Sequence, residues 1–599
     1  MNAPARKPMA SDWQQAALQP RSIAVIGASE NPHKIGGRPI AYLQRFGYRG
    51  RVYPINPNRD EIQGHRAYSS IASLPEAPDL AIIAVPGMAA VQAVEACAAK
   101  GVSIGVIMTS GFGEIGAEGR AAQDRMVDTA RAADMRLVGP NTQGIANFSL
   151  GAVASFATMF NEVPPQDGPI GIVSQSGAMS VVPYALLRER GIGVRHSHAT
   201  GNESDLTVAD FALAVAQDPD IKLLLLYMEA ILDPDMLIEA ARVARERDLP
   251  IIAVKAGRSA AGQAAASSHT GALATEDRVI DAFFEQQGIW RAPDVRALCN
   301  AAELYLKGWR PRTHRLVAIS NSGASCVMAA DLAETNGLSL PRFEAATAEK
   351  LKSALPDFAS SANPIDLTAA LLTNNRLFSD MLPILAEGDA ADVHFISLPI
   401  AGTGYDTPTF ARDTAAFMRE TGKAIAVAQP QTKIADQFRA EGIPTFQHDS
   451  DAIAALGQLA AHAELMRRPV AKVRDLPKVS LPAGKDQFFS EWQSMQLLEK
   501  HGLPIVPQRL CRNADDAAAV LTILGGRIVL KGSAASFPHK SEYGLVRLGI
   551  TGPTGARSAY EDIAGRLIEL KAENDGVIAA AMVSARRELM VGARFDPQF

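Results

Sequence analysis

Cysteine is scarce in this chain: Cys97, Cys299, Cys326 and Cys511 are the four among 599 residues. They lie far apart and form no CxxC pair, which excludes an obvious zinc or disulfide framework and suits a reducing compartment. Aromatic residues make up only 6% of the chain, and no basic run is interleaved with them, so no nucleic-acid surface is marked out. Long apolar runs are also missing. The most apolar stretch, Leu223 to Tyr227, is far too short to cross a bilayer, and the first twenty residues lack a signal-peptide apolar core. Neither sign of charge dominates, the net charge being -5. These absences leave a soluble, cytoplasmic globular protein with no membrane partner. Its length suggests several domains, roughly four at about 150 residues each.

The patterns that are present are strands alternating with helices. Ser22–Gly27 reads as a buried strand entering the turn Gly27-Ala28-Ser29, and further strands are expected at 51–56, 80–85 and 104–108, with alanine-rich helices between the later ones. Continuous apolar strands alternating with helices indicate a parallel sheet covered on both faces, here a Rossmann-type unit. Its turn is not GxGxxG, and no acidic residue stands at the end of the second strand, where Tyr53-Pro54-Ile55-Asn56-Pro57 occurs. A nicotinamide dinucleotide is therefore disfavoured against another nucleotide-like cofactor. A second unit opens with the strand 168–173 running into Ser174-Gln175-Ser176-Gly177-Ala178 and a helix. A glycine-containing turn at a helix start offers N–H donors to an anion. A third unit echoes it: Leu316–Ser320 runs into Asn321-Ser322-Gly323-Ala324, which suggests an internal duplication of flavodoxin-like type. Asp366, in Asn363-Pro364-Ile365-Asp366, is placed near a helix cap, and strands at 393–398 and 424–428 complete that sheet.

One histidine stands apart. His269 lies in Ser267-Ser268-His269-Thr270-Gly271, after the strand Ile251–Val254 and before a helix expected near Thr275-Glu276-Asp277. Small neighbours would let a bulky anion reach the ring, and the adjacent hydroxyls and N–H groups could bond its oxygens. The functional reading is a nucleophile that becomes phosphorylated; the plain alternative is a polar loop histidine. Ligands of parallel sheets bind along the C-terminal strand edge. Ser176-Gly177, Glu229 at the end of the strand 221–228, and His269 should therefore converge there.

In their order and spacing these motifs resemble the NDP-forming (ADP-forming) acyl-CoA synthetase family, relatives of succinyl-CoA synthetase and ADP-forming acetyl-CoA synthetase. The resemblance runs from about Gln19 to Phe599. It implies an α/β architecture: a mobile arm (1–20), a Rossmann-type CoA-binding domain (21–147), and a flavodoxin-like ligase domain with the phosphohistidine (148–305). A second flavodoxin-like domain (306–466), a linker (467–484) and an ATP-grasp domain (485–599) follow. It also implies an acid–CoA ligase that joins a small carboxylic acid to CoA with ATP, releasing ADP and phosphate, through an acyl phosphate and a phosphohistidine. On the CoA side it points to Gly27, Ala28, Ser29, Asn56, Pro57, Val85, Pro86, Ser110, Gly111 and Asn141. Phosphate would meet Ser174, Gln175, Ser176 and Gly177, with Ser322 and Gly323 in the third unit. His269 would be the phosphorylated group and Glu229 would bond its other ring nitrogen, fixing the tautomer. Glu203 and Asp205 fall in a family motif, Gly201–Asp205, or else cap the helix that follows.

In the last domain the resemblance marks Lys531, at the end of a strand, and Glu588, opening a strand, as ATP contacts. It marks His539 as a second phosphoryl carrier. CoA, ATP/ADP and Mg2+ are the implied cofactors, with no assignable metal ligands, and a homo-oligomer is expected. The sequence ends at Phe599 within the ATP-grasp pattern, before the glycine-rich and acidic residues that usually follow. That leaves an alternative reading, a CoA-binding regulatory or scaffold protein whose ATP-grasp domain is degenerate or completed by a partner.

Overall fold

The computed structural model describes residues 12–264, 276–469 and 488–592. His269 and its neighbours therefore lie outside the described residues, as does most of the expected linker. The chain divides into two units, one up to residue 472 and one from residue 473.

The first unit contains three large sheets built on one plan, besides a two-stranded ladder between Glu61–Ile62 and His65–Arg66. Helix α1 (Asp12–Leu18) precedes β1 (Ser22–Ile26). It replaces the mobile arm over those residues, because Trp13, Ala16, Ala17 and Leu18 form an apolar face that packs inward. Trp13 meets Phe211 edge-on at 5.7 Å between ring centroids. Helix α2 (Arg38–Arg45), β2 (Arg51–Ile55), β3 (Leu80–Ile83), β4 (Ile104–Ile107), α3 (Ala117–Ala132) and β5 (Arg136–Val138) complete the first layer. Their sheet is wholly parallel, in the order β2-β1-β3-β4-β5. Its strand residues are buried on both faces, as the continuous apolar runs required.

The second sheet starts with the antiparallel hairpin β6 (Gly144–Asn147) and β7 (Ala152–Ser155). It continues with β8 (Ile170–Ser174), α4 (Gly177–Glu189), β9 (His196–Ala199), α5 (Val208–Ala216), β10 (Leu223–Met228), β11 (Ile251–Lys255), α6 (Asp277–Gln287) and β12 (Ile289–Arg291). The order is β12-β11-β10-β8-β9-β6-β7, parallel except where β6 pairs with β9 and β7. The third sheet consists of β13 (Leu316–Ser320), β14 (Ile365–Asp366), β15 (Val393–Ser397), β16 (Ala424–Ala428) and β17 (Thr445–Phe446), in the parallel order β14-β13-β15-β16-β17. Helix α7 (Gly323–Thr335) follows β13, and α8 (Asp449–Arg467) closes the layer. Two expectations are corrected here. A short fifth strand, β17, extends the sheet, and Asp366 ends a strand instead of capping a helix, its Oδ1 accepting the N–H of Thr368 at 2.9 Å.

Stripped of the hairpin, all three sheets have the order 2-1-3-4-5. In that order the strand direction of travel reverses between the first and third strands, and ligands bind outside the carboxyl ends of those two strands. The fold thus presents three such switch points: after β1 and β3, after β8 and β10, and after β13 and β15.

The second unit holds α9 (Glu491–Lys500), β18 (Gln508–Cys511), β19 (Ile528–Ser533), β20 (Val546–Ile550) and β21 (Gly576–Ala581) in the antiparallel order β18-β21-β19-β20. Lys531 sits inside β19, not at its end, because the ladder with β21 continues to Ser533. The strand expected at 588–593 is absent over the described residues 588–592. That stretch pairs with nothing in the ladder, and Leu589, Met590 and Val591 are exposed by 91%, 99% and 93%, so an apolar run alone did not make a strand.

Candidate functional site

At the first switch point, Gly27 adopts φ +84, and a Cβ there would lie 2.8 Å from Ala84 O. Only glycine fits such a crossing. The N–H groups of Gly27 and Ala28 reach Ile55 O at 3.3 and 3.2 Å, and Asn56 Nδ2 donates to Ala28 O at 2.8 Å. Gln63 Nε2 donates to Ser29 O and Gly37 O, both at 2.9 Å, so the Ser29–Gly37 segment is folded back on itself. Val85 leads into the exposed Pro86, and Thr109 Oγ1 donates to Val85 O at 2.6 Å, bringing Ser110 and Gly111 to the same edge. Pro57 follows Asn56 on the exposed rim. The structure thus gathers Gly27, Ala28, Ser29, Asn56, Val85, Pro86 and the Ser110-Gly111 turn along one strand edge.

At the second switch point a cleft of about 560 Å³ opens between the first and second layers. Its walls include Ser176, Gly177, Ala178 and Glu229 from the second sheet and Glu114, Gln123 and Asn141 from the first side. The expected meeting of Ser176-Gly177 with Glu229 therefore holds, and Asn141 joins them. His269 lies outside the described residues; β11 ends at Lys255, which pairs with Met228. Burial, then the nearby Arg291 guanidinium, hold the Lys255 ammonium below its ordinary pKa.

The two sides of the cleft are fastened by the loop after β9. Asn202 N donates to Pro140 O at 2.9 Å, and Ser204 N and Oγ both donate to Gly139 O, at 3.1 and 2.7 Å. Gly201 has φ +66, and a Cβ there would lie 2.4 Å from Pro140 O. Asp205, fully buried, bonds Arg136, Arg131 and the N–H of Leu137. Burial raises its carboxyl, but Arg136 and the other donors outweigh that and hold it below the usual range. Removing one partner of such a buried pair costs about 3–5 kcal/mol. Glu114 accepts the N–H groups of Gly111 and Phe112 and the Asn202 amide; burial opposes its ionisation, but these donors win and keep it below its ordinary pKa.

Within the cleft, Ser176 is the N-cap of α4 but makes no side-chain cap bond, so the first N–H groups of the helix are left to other acceptors. Two of the expected phosphate contacts are otherwise engaged. Ser174 Oγ donates to Ser176 O at 2.6 Å and accepts Ser176 N at 3.1 Å. Gln175 is engaged as well: its backbone N–H goes to Tyr227 O at 3.0 Å and one side-chain N–H goes to Glu203. Gln143, unremarked in the sequence, packs against Gly177, where an added Cβ would lie 2.6 Å from its Cγ, and its Oε1 has no partner among the described residues. Gln123 and Gln143 come from a helix face and a loop with no motif, and only the strand order places them here beside Asn202 of the Gly201–Asp205 motif. Of the two residues weighed as caps, Glu203 does accept the N–H of Val208, the first residue of α5, at 2.6 Å, whereas Asp205 serves the arginines.

The third switch point differs. Ser322 Oγ accepts Ser325 N at 3.5 Å as the N-cap of α7, and a Cβ on Gly323 would lie 2.9 Å from Asp366 Oδ2. An anion at Ser322 and Gly323 would therefore meet a carboxylate as well as the helix N-terminus.

In the second unit Lys531 Nζ and Lys540 Nζ converge on the two oxygens of Glu491, at 2.8 and 3.0 Å. Burial raises the Glu491 carboxyl, but the two ammonium groups prevail and hold it below its ordinary pKa. His539 precedes Lys540 in an exposed turn, and Glu588 is exposed and outside any strand. Among the described residues no cluster of three or more His, Cys, Asp or Glu side chains could hold a metal ion, so the magnesium expected with ATP has no ligand set there. The four cysteines are free and buried, and no helix of the described residues is long and apolar enough to cross a membrane.

Comparison with known proteins agrees with this layout. Family models match residues 21–147 as a CoA binding domain, 167–305 as a succinyl-CoA ligase like flavodoxin domain and 481–599 as an ATP-grasp domain. The Archaeoglobus fulgidus acetate–CoA ligase [ADP-forming] I is 32% identical over 97% of this chain and 84% of its own length. The alpha subunit of the Pyrococcus furiosus acetate–CoA ligase [ADP-forming] II is 33% identical, covering 75% of this chain and 97% of that one. Among solved structures, the Candidatus Korarchaeum cryptofilum acetyl-coenzyme A synthetase 1, bound to phosphate and ADP, superposes with a TM-score of 0.69. It is 28% identical over 76% of this chain and 98% of that one. These relatives support the ligase reading and not that of a CoA-binding scaffold. With a CoA-type switch point, an open helix N-terminus facing Glu229 and an ATP-grasp domain in one chain, the protein belongs to the ADP-forming acyl-CoA ligases.

Proposed function

We propose that this ligase activates a small carboxylic acid by a phosphoryl relay through His269. The neutral imidazole of His539 attacks the γ-phosphorus of ATP and ADP leaves; the neutral imidazole of His269 then takes the phosphoryl group from the His539 ring. A carboxylate oxygen of the acid then takes the phosphoryl group from the His269 ring, giving an acyl phosphate and free imidazole. The CoA thiolate attacks the acyl carbon, the C–O bond to phosphate breaks, and acyl-CoA and inorganic phosphate leave. Glu229 accepts from the ring nitrogen that does not carry the phosphoryl group and so fixes the tautomer. The N–H groups at the start of α4, beside Ser176 and Gly177, steady the phosphoryl oxygens. CoA lies along Gly27–Ser29, Asn56-Pro57, Val85-Pro86, Ser110-Gly111 and Asn141. Lys531 holds ATP phosphates, Glu588 assists there, and His539 passes the phosphoryl group from nucleotide to His269.

The observation that supports this reading most is the convergence of Ser176, Gly177 and Glu229 on one cleft at a topological switch point. Its volume accommodates a short acid together with the thiol end of CoA. The free, buried cysteines fit a cytoplasmic protein, and exposed Val327, Met328 and Ile400 fit a homo-oligomer in which such side chains are covered; sedimentation of the purified protein tests the latter. The catalytic reading is tested by incubating the protein with ATP, magnesium, CoA and a panel of short aliphatic, hydroxylated and aryl acids. Release of ADP and phosphate with acyl-CoA is expected. AMP and pyrophosphate, or CoA binding without turnover of any acid, would overturn it.

A further inference from the structure

We infer that Glu203 is a positioning residue for this reaction: through Gln175 it sets the loop that carries Glu229. The inference rests on the reading of Glu229 as the carboxylate that orients His269.

The polarity of the connection is forced from one end. The backbone N–H groups of Glu229 and Ala230 can only donate, and both donate to Gln175 Oε1, at 2.6 and 2.9 Å. The usual ambiguity between amide oxygen and nitrogen is thereby removed. Gln175 Nε2 must then face an acceptor, and it donates to Glu203 Oε2 at 2.8 Å. The other oxygen, Oε1, accepts Thr200 Oγ1 at 2.8 Å and Val208 N at 2.6 Å. The chain from Glu203 to the Glu229 loop thus contains one carboxyl whose Oε2 accepts, one two-ended amide and two fixed donors. No member can be reversed without setting donor against donor.

Capping alone does not account for this residue. Capping α5 uses one bond to one oxygen, which a short polar side chain would supply. Glu203 is instead a carboxyl with 7% exposure, in a left-handed backbone conformation at φ +53, next to Thr200 at 0% exposure. Burying such a group is unfavourable unless all its bonds are made, and here they are. Its backbone neighbours are pinned the other way: Asn202 N and Ser204 N are bonded to Pro140 O and Gly139 O of the CoA-type layer. Glu203 therefore points inward from a loop bolted to one wall of the cleft and braces a loop on the other. Gln175 also immediately precedes Ser176 and Gly177, so a displaced Gln175 disturbs the helix N-terminus and the Glu229 loop together.

The test uses this polarity. Glu203→Gln places an amide N–H against either Gln175 Nε2 or Val208 N, and Gln175→Glu sets two carboxyl groups face to face. The double variant E203Q/Q175E restores every bond: the carboxylate introduced at position 175 accepts the N–H groups of Glu229 and Ala230 with one oxygen and the new amide at position 203 with the other. The four proteins, with Glu229→Gln as a reference, are compared by kcat, by KM for CoA and acid, and by melting temperature. Each single exchange is expected to lower kcat at least 30-fold while KM for CoA stays within twofold. The double variant should recover at least tenfold over either single. If a single variant fails to fold, recovery of folding and of kcat together in the double variant gives the same support. E203Q with kcat within threefold of wild type while E229Q is inactive overturns the inference and leaves the Glu229 reading standing. A folded double variant no better than the singles overturns it as well. Full activity of E229Q overturns the Glu229 reading itself and, with it, the purpose assigned to the brace.

Discussion

The second and third layers of the first unit share a strand order, a Ser-x-Ser-Gly turn and a helix, yet their switch points are built differently. In the second, Gln175 is long enough to reach Glu203 on one side and the N–H groups of Glu229 and Ala230 on the other, and Ser176 leaves the helix N-terminus uncapped. In the third, Asn321 is one methylene shorter. Its Nδ2 donates to Ile400 O, its Oδ1 has no partner among the described residues, Ser322 caps the helix and Asp366 stands over Gly323. One copy of the motif keeps its N–H donors open for an incoming anion; the other satisfies or shields them from within. Duplicated topology thus supplied two equal frames, and a few side chains made their helix N-termini different.

The sharpest way to break this comparison is His269→Ala. If the open N-terminus of the second layer serves a phosphohistidine, turnover should fall by at least about a thousandfold, with CoA binding, read by calorimetry, kept within twofold. Next in size is a matched pair of glycine substitutions. Gly177→Ala must push Gln143 aside at the working helix start and should lower kcat about tenfold to a hundredfold. Gly323→Ala, which meets Asp366, should change kcat less than about threefold. Equal losses from the two would erase the distinction.

The two copies should also differ in their response to pH. Burial, opposed by the Thr200, Val208 and Gln175 donors, pushes the Glu203 carboxyl from 4.5 up to about 8. Between those values the folded protein holds a proton that the unfolded chain has lost. This contribution is thus fully present below about 4.5 and is lost as pH rises to about 8. Melting of the first unit followed across that window should show the fall, and Glu203→Gln should flatten it. The smallest effect concerns the caps. Ser322→Ala should cost about 0.5–1 kcal/mol of stability through the lost cap, whereas Ser176→Ala, which removes no cap bond, should change stability by less than ~0.3 kcal/mol. Urea titration of the two variants measures this.

Much of the architecture was legible in the residues because buried parallel strands are written as unbroken apolar runs, such as Ile23-Ala24-Val25 and Leu223 to Leu226, and because glycine turns mark where they end. The Ser176-Gly177 turn and Glu229 were readable as strand-end residues for the same reason. The errors fell where local pattern and long-range pairing part ways. Residues 12–18 became a packed helix because Trp13 finds Phe211. Residues 588–592 formed no strand because no neighbour offers a ladder. Lys531 moved into its strand because β21 pairs past it.

By itself, then, the sequence determined which segments are strands and helices, where anion-binding turns and reactive side chains stand along the chain, and to which family of chemistry they belong. All of these are set by the residue types of short segments and their spacing. Only the tertiary structure decided that Gln175 links Glu203 to the N–H groups of Glu229 and Ala230, that Glu203 faces inward beneath the cleft, and that of two similar turns one lacks a side-chain cap while the other is capped by Ser322 beside Asp366. Those outcomes depend on which distant groups a side chain meets, and strand order, through hydrogen-bond polarity and burial, sets those meetings.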